Sequence, residues 1–216
     1  VRPALPTCAV TAASGGGFVL DVAGRSFPVE SAFSFPHGGE NRLVCGDSIP
    51  PGGETVWKAA AKQIDPSTCE VNAAGAYYTM ARRIVVRDGF VLVSDTITNT
   101  TSEPLGILFR NRLNLAENPF KAVYLAGQEL RSPALDSALK TCPTAFVSAP
   151  DCGVGLVARD DVYIVQSRGS FDGKAVELAS KEFALDAGAS YTLEWAIHAN
   201  ATGDYYDFIN AIRPAS

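Results

Sequence analysis

Histidine is scarce in this chain, and that bounds its chemistry at the outset. Only His37 and His198 are present, so proton-transfer schemes built on paired imidazoles have little to draw on. The five cysteines (Cys8, Cys45, Cys69, Cys142 and Cys152) form no C-x-x-C pair, which removes the usual spacing of a zinc site. The nucleophile elbow G-x-S-x-G, the P-loop, the dinucleotide fingerprint, H-E-x-x-H and the EF-hand loop are all missing. No metal and no cofactor is therefore expected. Charged residues make up 19% of the chain, the net charge is -5, and no Lys/Arg cluster occurs. That balance argues against a nucleic-acid or anionic-membrane partner. No apolar run approaches the roughly 20 residues of a membrane-spanning helix.

What the chain does carry is alternation. Hydrophobic residues form 47% of its 216 positions, an ordinary share for a globular core. Between Tyr77 and Asn99, Met80, Arg82, Ile84 and Val86 fall on one face of a strand. Asp88-Gly89 supplies the turn that folds Phe90 to Asn99 back antiparallel. Phe27 to Phe35 alternates as clearly, with Phe27, Val29, Ser31, Phe33 and Phe35 on one side. Further strands are read at Phe18 to Val22, Glu54 to Trp57, Thr68 to Ala73, Leu105 to Leu115, Ala122 to Leu125, Gly153 to Ala158, Val162 to Ser167, Val176 to Leu185 and Tyr191 to Ala199. One helix is read, capped by Asp204, with Tyr205, Phe208, Ile209 and Ile212 as its apolar stripe and Pro214 as its stop. The fold class is all-β: a large antiparallel β-sandwich with a short C-terminal helix. Residues 1–17 read as an irregular lead-in, 18–200 as the sandwich and 201–216 as helix and linker stub. The start at Val1 and the end at Ser216 read as cuts through a longer polypeptide, or as a processed product.

The residues offer several candidates for chemistry. His37, His198 and Glu194 are the proton-transfer candidates, against the simpler reading of two structural or solvated histidines. Asp160-Asp161 is the most conspicuous acidic pair, but adjacent strand residues point to opposite faces and a turn explains both. Arg110 and Arg112 share a strand face and are candidates for carbohydrate binding, against a solvated sheet face. Trp57 and Tyr78 are candidate sugar-stacking aromatics, although most aromatics of a sandwich belong to its core. Cys142 and Cys152 bracket a short loop with Pro143 and Pro150, either as a disulfide staple or as independent buried thiols.

Certain segments resemble a known family. Phe27-Pro28-Val29-Glu30-Ser31-Ala32-Phe33-Ser34-Phe35-Pro36 is similar to an extended strand of sugar-active supersandwich domains. The same holds for Tyr78-Thr79-Met80-Ala81-Arg82-Arg83-Ile84 followed by Val93-Ser94-Asp95-Thr96-Ile97-Thr98-Asn99. Leu193 to Ile197 and Asp204 to Arg213 look like the segment that closes such a domain and leads into a catalytic barrel. The resemblance is to the galactose-mutarotase-like β-supersandwich that accompanies large glycoside hydrolases. It implies a non-catalytic, carbohydrate-associated domain, secreted or at the cell surface, with a catalytic domain beyond Ser216 as its partner. The alternatives are a self-contained sugar enzyme on the same fold, an aldose epimerase or polysaccharide lyase, or a structural or adhesive sandwich. The paired histidines of the mutarotases have no recognisable counterpart here.

Overall fold

The computed structural model describes residues 8–46, 51–115, 118–130 and 142–213. In chain order the strands are β1 (Cys8–Ala12), β2 (Phe18–Val22), β3 (Arg25–Ser34), β4 (Glu40–Leu43), β5 (Lys58–Asp65), β6 (Thr68–Ala74), β7 (Tyr78–Arg87), β8 (Phe90–Asn99), β9 (Leu105–Gly106), β10 (Phe109–Asn114), β11 (Ala122–Leu125), β12 (Gln128–Glu129), β13 (Thr144–Ser148) and β14 (Gly153–Ala158). After helix α1 (Asp161–Gln166) come β15 (Arg168–Phe171), β16 (Ala175–Ser180), β17 (Ala184–Leu185), β18 (Ser190–Asn200) and helix α2 (Tyr205–Ile212). A seven-stranded sheet runs β1-β2-β3-β10-β16-β15, with β4 against β3, and a nine-stranded sheet runs β12-β11-β13-β14-β18-β8-β7-β6-β5. β9 and β17 form a separate ribbon. Every strand pair within these sheets is antiparallel. The architecture is the all-β sandwich expected from the alternation.

Several details differ from the sequence reading, among them strands β4, β12, β13 and β15, which it did not include. Residues 8–12 of the supposed lead-in are a strand, β1, paired with β2. The stretch Glu54 to Trp57 is a turn, with Trp57 N donating to Glu54 O, and the strand begins only at Lys58. Leu105 to Leu115 and Val176 to Leu185 each break in two. The two segments pair as β10 with β16, then bend out of the large sheet and pair again as β9 with β17. Val162 to Ser167 lies almost wholly in α1, where Asp160 caps the helix by accepting from Tyr163 N at 3.0 Å. Its β-branched run favours a strand locally, but burial of Tyr163 and the Asp160 cap override that preference. The expected stop at Pro214 lies outside the described residues, as do residues 1–7 and much of the Pro-rich excursion after Leu115.

One core fills the space between the sheets, drawing Phe18, Leu20, Phe27, Val29 and Phe33 from one and Ile84, Val93, Ile97, Leu193 and Trp195 from the other. A polar network lies at its middle. Arg82 and Asp95 are register partners on β7 and β8, and both point inward. Arg82 Nε donates to Asp95 Oδ1 at 2.6 Å and Nη2 to Oδ2 at 2.9 Å, a bidentate pair with side chains no more than 1% exposed. Trp195 Nε1 donates to Asp95 Oδ2 at 3.0 Å, and its ring lies 5.6 Å from the guanidinium carbon. Across the sandwich, Arg82 Nη2 also donates to Ser31 Oγ on β3 and to Asn111 Oδ1 on β10. Asn111 Nδ2 donates to Tyr163 OH, which donates to Leu178 O. Burial first of all holds the Tyr163 phenol far above its ordinary value, so it stays neutral. Asn99 is fully buried as well, and ties β8 to the chain at Leu185 and Asp186 through its Nδ2.

Candidate functional site

The outward face of the seven-stranded sheet carries the complementary set of residues. Because side chains alternate along a strand, inward Ser31 and Asn111 oblige Glu30, Ala32, Arg110, Arg112 and Asn114 to point outward. The register places them in rows. Arg42 on β4 lies beside Ala32, and Ala32 beside Arg110. In the next row Glu30 lies beside Arg112, and Arg112 beside Glu177. A groove of about 480 Å³ opens over these rows, lined among others by Glu30, Ala32, Arg42, Arg110, Arg112 and Asn114. That volume falls within the range of about 300–1,000 Å³ usual for small-molecule sites.

Acids bordering the groove hold its arginines in place. Glu40 Oε2 accepts from Arg110 Nη2 at 2.6 Å and from Arg42 Nη2 at 3.3 Å. Arg112 bonds to Asp172, lies 3.6 Å from Glu177 and donates from Nε to Asn114 Oδ1 at 2.9 Å. Burial pushes the Asp172 carboxyl up, but donors from Lys174 N, Arg112 and Ala175 N outweigh it and leave the group below its ordinary value. Glu30 is engaged at both oxygens, by Cys45 N at 3.1 Å and Asn114 Nδ2 at 3.2 Å. Burial, and then the Glu30 carboxylate, raise the Cys45 thiol to about 11, so it is protonated near neutral pH and is no ready nucleophile. Exposed ion pairs such as these contribute little stability. Their effect is to fix guanidinium directions.

Of the residues singled out in the sequence, Arg110 and Arg112 line the groove together. Trp57 and Tyr78 do not. Trp57 is 4% exposed, donates from Nε1 to Arg42 O at 3.0 Å and meets Tyr78 edge-on. Tyr78 is fully buried, donates to Phe33 O and accepts from Asn41 Nδ2. Each ring satisfies its polar atom inside the protein, so neither presents a face to a sugar. The disulfide between Cys142 and Cys152 is also absent. Cys142 lies beyond the Thr144–Val157 end of the β13–β14 hairpin and Cys152 at its Ser148–Gly153 turn. Five residues of strand separate them, roughly 16 Å, well past the reach of about 7 Å for a disulfide. Glu30, Arg42 and Asn114 complete the groove and escaped notice. The alternation of β3 already put Glu30 opposite the apolar face, but nothing in the weakly patterned stretch after Asn41 marked Arg42.

The histidines and Glu194 form no common centre. His37 is exposed in the β3–β4 turn with a left-handed φ of 71°. Glu194 accepts from Ser94 Oγ on the outer face of the nine-stranded sheet, and Asp160 accepts from Glu194 N while capping α1. His198 is 4% exposed, stacked on Phe90 at 4.9 Å and edge-on to Phe208 of α2 at 6.3 Å. Its burial, and secondarily Arg159, depress its pKa from 6.5 to about 4. The unfolded chain therefore binds a proton near pH 6.5 that the folded chain accepts only near pH 4. The stability contributed by neutral His198 is fully present above pH 6.5 and is lost as pH falls toward 4, by about 3 kcal/mol. Urea midpoints at neutral and mildly acidic pH should show this loss, and His198→Leu should flatten it. An unchanged pH dependence in that variant would show that other groups are responsible.

No family model and no curated protein matches the sequence. Solved structures do match the fold. A polysaccharide lyase aligns over 98% of this chain with 13% identity and a TM-score of 0.54; this chain spans about a third of that protein, 34% of its length. A galactose mutarotase-like protein from Lactobacillus casei aligns over 89% of this chain and 96% of its own, with 12% identity and a TM-score of 0.53. Heparan sulfate lyase HepC from Pedobacter heparinus aligns over 88% of this chain and 31% of its own, with 9% identity and a TM-score of 0.50. The fold resembles the galactose-mutarotase-like β-sandwich at low sequence identity.

Proposed function

We propose that this chain is the sugar-binding β-sandwich of a carbohydrate-active enzyme, and that sugar is held in the groove over β3, β4 and β10. The observation that carries the reading is the groove's lining. It gathers guanidinium, carboxylate and amide groups, planar and already oriented by neighbours, on the outer face of a sheet. Such groups pair with vicinal hydroxyls and acidic substituents of sugars through two parallel hydrogen bonds. The likeness in fold to sugar-active proteins supports it. The lyase, of which this chain spans about a third, supports a place within a larger enzyme that acts on a polymer. A polymer-directed role of that kind goes with a secreted or surface location.

The full-length alignment with the Lactobacillus protein favours a second reading, a self-contained sugar enzyme such as an aldose epimerase. Nuclear magnetic resonance separates the two. Neutral and acidic oligosaccharides added to the purified chain are expected to shift amides of β3, β4 and β10, while hexose anomers interconvert at the uncatalysed rate. Catalysed interconversion would establish the second reading. Absence of any binding across both oligosaccharide classes would refute the groove's role.

A further inference from the structure

The groove's charge pattern is more specific than its fold. Its lining sets three guanidiniums, Arg42, Arg110 and Arg112, against the single carboxylate of Glu30, whose two oxygens are already engaged. The acids that orient the arginines, Glu40, Asp172 and Glu177, border the groove without lining it, with Glu177 in the row of Arg112. Guanidiniums therefore outnumber carboxylates in the lining itself, in a chain whose net charge is -5. Arg42 and Arg110 flank Ala32 from the two neighbouring strands, so their backbones are roughly 10 Å apart. Only the methyl group of Ala32 stands between them, and both guanidiniums converge on one carboxylate oxygen of Glu40. A guanidinium has five N–H donors. The described hydrogen bonds of Arg42 and of Arg110 each use Nη2 alone, and Arg42 Nε is buried without a partner among the described residues.

Resting on the sugar-binding reading above, we infer that the groove selects an anionic sugar, whose carboxylate or sulfate oxygens sit between Arg42 and Arg110 above Ala32, with Arg112 one row further along. The remaining donors of the two arginines supply the bidentate contacts that planar oxyanions take. Glu40 already bridges the same pair and shows that both guanidiniums can converge on one oxyanion. The overall negative charge confines attraction to this spot. A single acidic residue of an oligosaccharide is bound, and a polyanion is not tracked along the surface.

Three probes test the inference by calorimetry: oligogalacturonate, which carries carboxylates only; a sulfated dextran oligomer, which carries sulfates only; and carboxyl-reduced oligogalacturonate, which carries neither. At least one anionic probe is expected to bind about tenfold or more tighter than the reduced one, and which of the two does so assigns carboxylate or sulfate. Arg110→Gln should weaken binding of the anionic probe far more than binding of the reduced probe, so that the preference is lost, and Arg110→Lys should keep part of it. Arg42→Gln serves as an independent variant if Arg110→Gln melts below the parent. Equal binding of reduced and anionic probes would overturn the anion inference and leave the sugar reading standing. No binding of any probe would overturn both.

Discussion

Asp95→Ala should destabilise the fold by about 3–5 kcal/mol, because it leaves the Arg82 guanidinium charged and buried without its counter-ion. The side chain of Arg82 is completely buried, and its Nη1 already lacks a partner among the described residues. Removing the carboxylate takes away acceptors from two of its nitrogens and from Trp195 Nε1 together. Ser31 and Asn111 would remain as neutral acceptors, too weak to replace a carboxylate. Urea denaturation reads the loss directly. A double variant, Arg82→Met with Asp95→Leu, should recover most of it, since an apolar pair of similar volume does not carry the desolvation of two ions. A loss below about 1 kcal/mol in the single variant would show that the pair is not the keystone of the core.

Phe208→Ala should cost about 3–5 kcal/mol, and should do so locally. Phe208 is 1% exposed, stacks on Phe146 at 4.8 Å and lies over Gly155, where even a Cβ would overlap its ring. An isolated helix of eight residues is not stable in water, so α2 depends on this contact and on its Asp204 cap. Amide hydrogen exchange should accelerate across 205–212 and at the underlying ends of β14 and β18, with β7 and β8 little changed. Uniform acceleration through the whole chain would show instead that α2 and the sandwich unfold as one unit.

The two variants also mark what could be read in the sequence. The hairpin from Tyr77 to Asn99 was legible because its period-two pattern, its Asp88-Gly89 turn and its inward Arg82 and Asp95 agree with one another. The Asp204 cap and the apolar stripe of α2 were legible for the same reason. Helix α1 was not, because Asp161 to Gln166 is strand-like in composition and is held helical by Asp160, whose carboxylate also engages Tyr191 OH and Glu194 N. Those partners are remote in sequence. Trp57 misled because it follows a Gly-Pro loop, and only the tertiary fold turns its ring inward. Arg110 and Arg112 were found by alternation, whereas Arg42 joins them through the pairing of β4 with β3, which local pattern does not specify.

The rows on β3 and β10 have one more consequence. Ser31 and Asn111 serve the buried network, while their immediate neighbours Glu30, Ala32, Arg110 and Arg112 line the groove. A slip of one residue would exchange the two sets, placing guanidiniums in the core and stranding the network in water. The interior therefore polices the register of the exterior. Freed of that duty, the outward positions can change their chemistry without renegotiating the fold.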